Sequence, residues 1–186
     1  MIVFGLGNPG TDYEHTRHNA GFDAVEKAAA FFQIPLKKRC FRLYRYAKVS
    51  DSIIVEPLTF MNNSGRVVKY FKKHTSNPEK VAVVCDNMDL AVGGLRIKQG
   101  GGSSGQKGLN SIALHLGTQD FVRIYIGIGH PEDGNVIDHV LGRETEPEKL
   151  KAYQQALEDA AMAVVKFMQG TQVRELQSEF NRKGIL

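Results

Sequence analysis

The sequence predicts an α/β fold: a single domain over residues 1–186, with helices flanking both faces of a mixed, twisted β-sheet. Short apolar runs alternate with segments whose apolar residues recur at helical spacing, which indicates strands alternating with helices. The length of 186 residues fits one ordinary domain. Hydrophobic residues make up 42% of the chain and charged residues 24%, a balance that excludes disordered and fibrous proteins.

The strands are predicted from apolar or alternating runs. Ile2–Gly7 is apolar and ends in glycine, as expected for a buried strand with a turn after it. Phe41–Val49 alternates apolar and polar residues, and Ser50–Asp51 turns it into a second strand at Ile53–Val55, so this segment is predicted to be a hairpin. Further strands are predicted at Val81–Cys85, Leu95–Gln99 and Val122–Ile128.

The helices are predicted from apolar residues at helical spacing. The first is predicted to begin after Asn19, a residue type that caps helices, and to end before Pro35. The second follows Asn62–Ser64, with Val67, Val68 and Phe71 on its apolar face. Three more helices are predicted at Leu109–Leu116, Glu146–Gln169 and Val173–Phe180.

Charge is distributed unevenly along the chain. The sequence has 24 Lys and Arg against 20 Asp and Glu, a net charge of +4. Residues 1–130 carry 17 basic and 10 acidic side chains, whereas residues 131–186 carry 7 and 10. A basic body suggests a polyanionic partner on one face, although a net charge of this size is also ordinary for a protein in solution.

The sequence shows no sign of a membrane or secreted protein. No apolar run approaches the roughly 18 residues of a spanning helix. The first ten residues lack the basic start and cleavage site of a signal peptide. Cys40 and Cys85 are isolated and form neither a disulfide framework nor a metal motif. We therefore expect a cytoplasmic protein without a membrane partner.

Polar side chains follow several of the predicted strands. His18, Asp86, Asn8 and Asn62 all lie at strand-to-helix junctions, where open α/β sheets place their sites. Together they supply a base, a carboxylate to orient it, and neutral hydrogen-bond donors. The alternative is that Asp86 and Asn62 only cap helices or form turns. The six histidines make no metal-binding set, so we expect no metal. No serine or cysteine lies in a GxSxG motif, so for a hydrolysis we expect water, activated by histidine, to be the nucleophile.

Two glycine-rich segments match the dinucleotide pattern GxGxxG, at residues 5–10 and 100–105. Neither is followed, about 20 positions later, by a predicted strand that ends in an acidic residue, as the recognition of a ribose requires. A nicotinamide-dependent oxidoreductase therefore has only these matches in its favour. The second segment lies between Lys98 and Lys107, so it suits either a phosphate or a flexible turn.

The segment Lys37–Lys48 is strongly basic and carries aromatic residues among its cations. This mixture is typical of a nucleic-acid-binding face, but positive charge also protects an exposed edge hairpin against aggregation. Both interpretations stay open on the sequence alone. The cations are Lys37, Lys38, Arg39, Arg42, Arg45 and Lys48.

Several distinctive motifs occur together and in order along nearly the whole chain. They are G-L-G-N-P-G at 5–10, Y-x-x-T-R-H-N-A-G at 13–21, P-x-T-F-M-N-x-S-G at 57–65, D-x-x-D-L at 86–90, GGG at 100–102 and I-G-I-G-H-P at 126–131. On these motifs the chain resembles the bacterial peptidyl-tRNA hydrolase family. The resemblance implies a monomeric, cytoplasmic, metal-free esterase without a cofactor, which cleaves the ester between a peptide and tRNA.

The resemblance also implies roles for individual residues. His18 matches the catalytic base, Asp86 the residue that orients it, and Asn8 the position that distinguishes blocked from unblocked aminoacyl-tRNA. The implied partner is peptidyl-tRNA, bound through its acceptor end and phosphate backbone. The matched substrate-binding positions are Tyr13, Phe60, Met61, Asn62 and Lys98.

The chain departs from the family pattern at three positions. Lys107 replaces a substrate-contacting asparagine and is expected to bind tRNA phosphate instead, since lysine cannot copy the acceptor of an amide. Gln106 replaces a histidine. Tyr125 replaces a basic residue, although Arg123 lies two positions earlier on the same face. These changes leave an alternative open: an RNA-binding homologue with weak or lost hydrolysis.

Overall fold

The computed structural model describes residues 1–38, 40–132 and 134–185. Its centre is a seven-stranded mixed sheet with helices on both faces, so the predicted fold class is confirmed. The strands are β1 (Ile2–Gly5), β2 (Lys37–Lys38), β3 (Tyr44–Val49), β4 (Ser52–Pro57), β5 (Val81–Asn87), β6 (Leu95–Gln99) and β7 (Val122–Gly127). In the described residues, no helix is long and apolar enough to cross a bilayer.

The described residues also contain six α-helices and four 3-10 helices. The α-helices are α1 (Ala20–Phe31), α2 (Lys72–Thr75), α3 (Lys107–Leu116), α4 (Val136–Leu141), α5 (Pro147–Met168) and α6 (Val173–Phe180). The 3-10 helices are Thr11–Tyr13, Arg17–Asn19, Met61–Phe71 and Pro78–Lys80.

The sheet order brings the ends of its parallel strands to one edge. The order is β2-β3-β4-β1-β5-β7-β6. β1 pairs in parallel with β4 and β5, and β5 pairs in parallel with β7. Segments that leave β1, β4 and β5 therefore emerge side by side, which is where an open α/β sheet binds its ligands. β6 runs antiparallel to β7, so its last residue points to the opposite edge.

Each face of the sheet carries its own apolar core, because successive strand residues point to opposite faces. On one face α1, α5 and α6 pack against the sheet, with Val25, Leu157 and Phe180 in the buried cluster. On the other face the Met61–Phe71 helix and α3 pack against it, with Phe71 and Ile112 in the cluster.

The structure corrects several predicted elements. β3 begins at Tyr44 rather than at Phe41, because Phe41 has a φ of +56°, which breaks the extended backbone, and its side chain is 99% exposed. The helix predicted after Asn62–Ser64 begins at Met61 and is a 3-10 helix. β5 extends to Asn87, so Asp86 lies in a strand rather than a loop.

Among the elements that were not predicted are β2 and α4, which are both short. β2 contains only two lysines at the edge of the sheet, and α4 is a six-residue helix. Neither is long enough to establish a period in hydrophobicity. Of the basic segment Lys37–Lys48, Arg39 lies outside the described residues.

Candidate active site

His18 and Asp86 meet at the edge where the parallel strands end. His18 belongs to the Arg17–Asn19 helix directly before α1, and Asp86 is near the end of β5. His18 Nδ1 lies 2.9 Å from Asp86 Oδ2, and the two side chains are 17% and 5% exposed. An ionised carboxylate only accepts hydrogen bonds, so Nδ1 carries the proton and donates it. In neutral His18 the unprotonated atom is then Nε2, for which no described residue provides a hydrogen-bond partner.

Gln106 holds the second oxygen of Asp86. Its Nε2 donates to Asp86 Oδ1 at 2.8 Å, while its Oε1 accepts from the N–H groups of Gly108 (2.6 Å) and Leu109 (3.1 Å). Gln106 is therefore both the N-cap of α3 and a hydrogen-bond donor that holds the Asp86 carboxylate in place. We did not predict this role, because glutamine is not a preferred cap. The position also gave no signal, because the helix was predicted to begin at Leu109, whereas it begins at Lys107.

Asn8 is fixed so that its amide can only donate. Its Oδ1 accepts from the backbone N–H of Met61 at 2.8 Å, which identifies the oxygen and leaves the NH₂ group facing elsewhere. Its backbone is held by Asn19, whose Oδ1 accepts from Asn8 N at 2.8 Å and whose Nδ2 donates to Asn8 O at 3.0 Å. Asn19 does precede α1, but its side chain makes no cap bond. Here too the sequence did not predict the contact.

The loop before His18 is anchored by α4 and by the segment that follows it. The backbone N–H of Arg17 donates to Gly142 O at 2.9 Å, and its guanidinium donates to His139 O and to Glu144. Partial burial raises the pKa of Glu144. The hydrogen bond and charge of Arg17, together with hydrogen bonds from the backbone N–H groups of Glu146 and Thr145, outweigh burial, so that pKa lies below its usual range. Arg17 thus holds the backbone next to His18 in place.

The predicted substrate-binding residues form the rim of this edge. The rings of Tyr13 and Phe60 meet edge to face with centroids 6.3 Å apart, and Phe60 is 57% exposed. Met61 is buried, and its sulfur accepts from Gln106 Nε2 at 3.3 Å. Asn62 is exposed and lies inside its helix, so it does not cap it. These residues adjoin Asn8 through the Met61 backbone contact.

The two predicted phosphate-binding lysines lie at different places relative to the hydrogen-bond network around Asp86. Lys107 is exposed at the first position of α3, next to Gln106. Lys98 lies on β6 opposite Arg123, towards the far edge of the sheet, with its Nζ 5.7 Å from the centre of the Tyr125 ring. In the structure, therefore, Lys107 borders the His18 site and Lys98 does not.

Arg123 does not supply the surface charge that Tyr125 lacks. It is 1% exposed, its guanidinium lies 4.6 Å from the centre of the Phe121 ring, and burial lowers its pKa. Tyr125 is also buried, which raises its pKa to about 12, and its hydroxyl donates to Gly102 O at 3.4 Å. Both side chains lie against the glycine-rich loop, Tyr125 at Gly102 and Arg123 at Gly101.

The structure speaks against a dinucleotide site at residues 5–10. Such a site needs a helix that opens directly after the glycines and aims its N-terminus at the pyrophosphate. Here a single 3-10 turn, Thr11–Tyr13, follows, and α1 begins only at Ala20. Within the described parts of the chain, no three His, Cys, Asp or Glu side chains are grouped as metal ligands.

Known proteins match this chain over nearly its whole length. A family model described as "Peptidyl-tRNA hydrolase" matches residues 2–185. A "Peptidyl-tRNA hydrolase" of Limosilactobacillus fermentum is 39% identical over 185 residues, covering 97% of this chain and 99% of that protein. One from Caldanaerobacter subterraneus is 42% identical over 187 residues, with coverage of 97% and 98%. The crystal structure of peptidyl-tRNA hydrolase from Acinetobacter baumannii superposes with a TM-score of 0.88 at 34% identity, covering 98% of this chain and 95% of that one.

Proposed function

The chain belongs to the peptidyl-tRNA hydrolase family and hydrolyses the ester bond of peptidyl-tRNA, and we propose that His18 is the general base of this reaction. Asp86 fixes the imidazole in the tautomer whose Nε2 can accept a proton. The observation that carries the proposal is the 2.9 Å contact between His18 Nδ1 and Asp86 Oδ2, with Nε2 unbonded by any described residue.

The proposed reaction uses water as the nucleophile. His18 Nε2 removes a proton from water while its oxygen attacks the carbonyl carbon of the ester. The imidazolium that forms is stabilised by the carboxylate of Asp86. When the tetrahedral intermediate collapses, the bond between the carbonyl carbon and the ribose oxygen breaks. The imidazolium then returns its proton to that oxygen, so tRNA and the free peptide are released.

Asn8 is the proposed donor to the developing oxyanion. Because its Oδ1 is committed to Met61 N, its NH₂ group is the part that can face a substrate. A fixed amide donor stabilises negative charge that develops on the carbonyl oxygen without having to reorganise. It also recognises a group that every peptidyl-tRNA has, which suits a substrate with arbitrary side chains.

The rest of the substrate is proposed to contact the rim. The edge of the sheet where the ester would lie is bordered by Tyr13, Phe60, Met61 and Asn62. Lys107 is proposed to bind a phosphate of the acceptor end, since it is exposed beside Gln106. Lys98, which is distant from His18 in the sheet, would contact a phosphate further along the tRNA.

The test is the release of tRNA from an N-blocked aminoacyl-tRNA by the wild type and by His18→Ala. We expect the wild type to cleave the blocked substrate and spare the unblocked one. His18→Ala should lose about 10²–10⁴-fold in rate, the contribution of a general base, with unchanged unfolding and tRNA binding. Full activity of the variant would contradict the role of His18. Salt-sensitive tRNA binding without cleavage by either protein would favour the RNA-binding homologue.

A further inference from the structure

A row of exposed cations leads away from the candidate active site. It lies on the 3-10 helix Met61–Phe71, whose first residue is bonded to Asn8. In a 3-10 helix, residues three apart lie directly above one another, about 6 Å along the axis. Asn63, Arg66 and Lys69 therefore form one line, and Lys72, the first residue of α2, continues it. All four are exposed.

The charge of this row is not neutralised. Residues 57–78 contain no Asp or Glu, but they contain Arg66, Lys69, Lys72 and Lys73. Among the described residues, none of these four cations has a carboxylate within 4.0 Å, in contrast to Lys166, which pairs with Glu179. An exposed helix face more often mixes charges of both signs. This face therefore presents a positive field that suits an anionic partner.

An aromatic ring lies beside the row and joins it to the basic segment Lys37–Lys48. The guanidinium of Arg42 lies 4.6 Å from the centre of the Tyr70 ring, and Lys69 Nζ lies 5.2 Å from it. Tyr70 is 40% exposed. Cations with an accessible aromatic ring suit a nucleic acid, whose phosphates and bases they bind respectively. Arg45 of the same basic segment turns inward to Glu56 and does not contribute.

We propose that Arg66, Lys69 and Lys72, with Arg42 and Tyr70, bind the sugar–phosphate backbone of tRNA beyond the acceptor end. The inference rests on the proposed function, because it concerns the tRNA whose ester bond lies at His18. The row begins one residue after Asn62, so a strand leaving the site could follow the helix. Contacts of this kind are made to phosphates and carry no sequence information.

The test compares two triple variants that remove the same charge. Arg66→Gln, Lys69→Gln and Lys72→Gln together remove the row. Lys151→Gln, Arg174→Gln and Lys183→Gln remove three exposed cations from α5, α6 and the chain after α6, on the side of the α1–α5–α6 core. The measured quantity is kcat/KM for an N-blocked aminoacyl-tRNA, divided by that for an N-blocked aminoacyl-CCA trinucleotide, over a range of salt concentrations. Binding of uncharged tRNA is measured in parallel.

We expect the row variant to lower that ratio by about tenfold or more at low salt and to weaken uncharged tRNA binding. The slope of log affinity against log salt should become less negative by about 3, one for each phosphate that the variant no longer neutralises. The control variant should change neither quantity, and thermal unfolding should match the wild type for both.

Equal effects of the two variants would overturn the proposal, because only net charge would then matter. An unchanged ratio and unchanged tRNA binding in the row variant would also overturn it. If the wild type cleaved neither substrate while the row variant still lost tRNA binding, the proposed catalytic role of His18 would fail and the surface would stand.

Discussion

Two buried carboxylates, Asp86 and Glu56, each lie beside a basic side chain, but only Asp86 belongs to the candidate active site. Each has a partner that can carry positive charge: His18 for Asp86 and Arg45 for Glu56. Both oxygens of Asp86 are bonded, one to His18 and one to Gln106. Glu56 is completely buried, and only its Oε2 is bonded, to Arg45 at 2.6 Å, while its Oε1 has no partner in the described residues.

The electrostatic consequence differs as well. Burial raises the pKa of Glu56 to about 8, against the opposing effect of Arg45. At the Asp86 site the partner reaches the surface, because His18 is 17% exposed and keeps Nε2 available. A buried or perturbed carboxylate is therefore not by itself a site. The site needs an accessible reactive atom whose orientation is fixed by satisfied neighbours.

After the loss of His18 itself, the largest effect is expected from changing Asn8, the proposed donor to the substrate. Asn8→Asp keeps the acceptor for Met61 N but removes the amide donors, so kcat should fall by about 10²–10³-fold with little loss of stability. Asn8→Ala should lose as much kcat and also stability, because a buried N–H is left unpaired at a cost of about 1–3 kcal/mol. Steady-state kinetics and thermal unfolding measure the two. Wild-type kcat in Asn8→Asp would contradict the donor role.

An intermediate effect is expected from Gln106→Glu. The carboxylate can still cap α3, but it now faces Asp86 instead of donating to it. The added negative charge should favour protonated His18, so kcat/KM should fall by about tenfold at neutral pH, with the acid limb of its pH profile shifted to higher pH. Gln99→Glu is the matched control, because exposed Gln99 also donates to a carboxylate, Asp120. A pH profile for Gln106→Glu that overlays that of the wild type would rule out an effect of Gln106 on His18 through Asp86.

The smallest effect on activity is expected from Glu56→Gln, which should hydrolyse substrate like the wild type. Stability should change with pH, because Glu56 keeps its proton in the fold up to about pH 8 and loses it above about pH 4.5 when unfolded. The native state then binds more protons, so this contribution to the unfolding free energy falls as pH rises through that range. The charged groups around it are Arg45, Glu26 and Asp23. Melting temperatures of both proteins should diverge in favour of the variant as pH rises, and a constant difference would refute this.

The sequence predicted the parts of the fold that depend on local patterns. β6 and α6 have the predicted bounds, because apolar residues recur through them at the period of a strand or a helix. The start of β3 was wrong because a single positive φ, at Phe41, interrupts an otherwise alternating run. A period in hydrophobicity carries no information about the sign of φ.

The same limit applies to the site. Polar residues after the strands were predicted to meet, and the structure brings His18 and Asp86 together. The contacts of Gln106 with Asp86 and of Asn19 with Asn8 were missed, because their partners lie 20 and 11 residues away. Local propensity describes a cap by its own helix and does not indicate which distant side chain it also holds.

The protonation state of the His18 ring tests its proposed role as the general base most directly. Nitrogen-15 NMR of histidine-labelled protein, in mildly alkaline solution, distinguishes the two neutral tautomers, and comparison with His18→Ala assigns the signal. We expect a protonated Nδ1, bonded to Asp86, and an unprotonated Nε2. A signal with the proton on Nε2 would contradict it, since His18 would then present no base to water at the candidate active site.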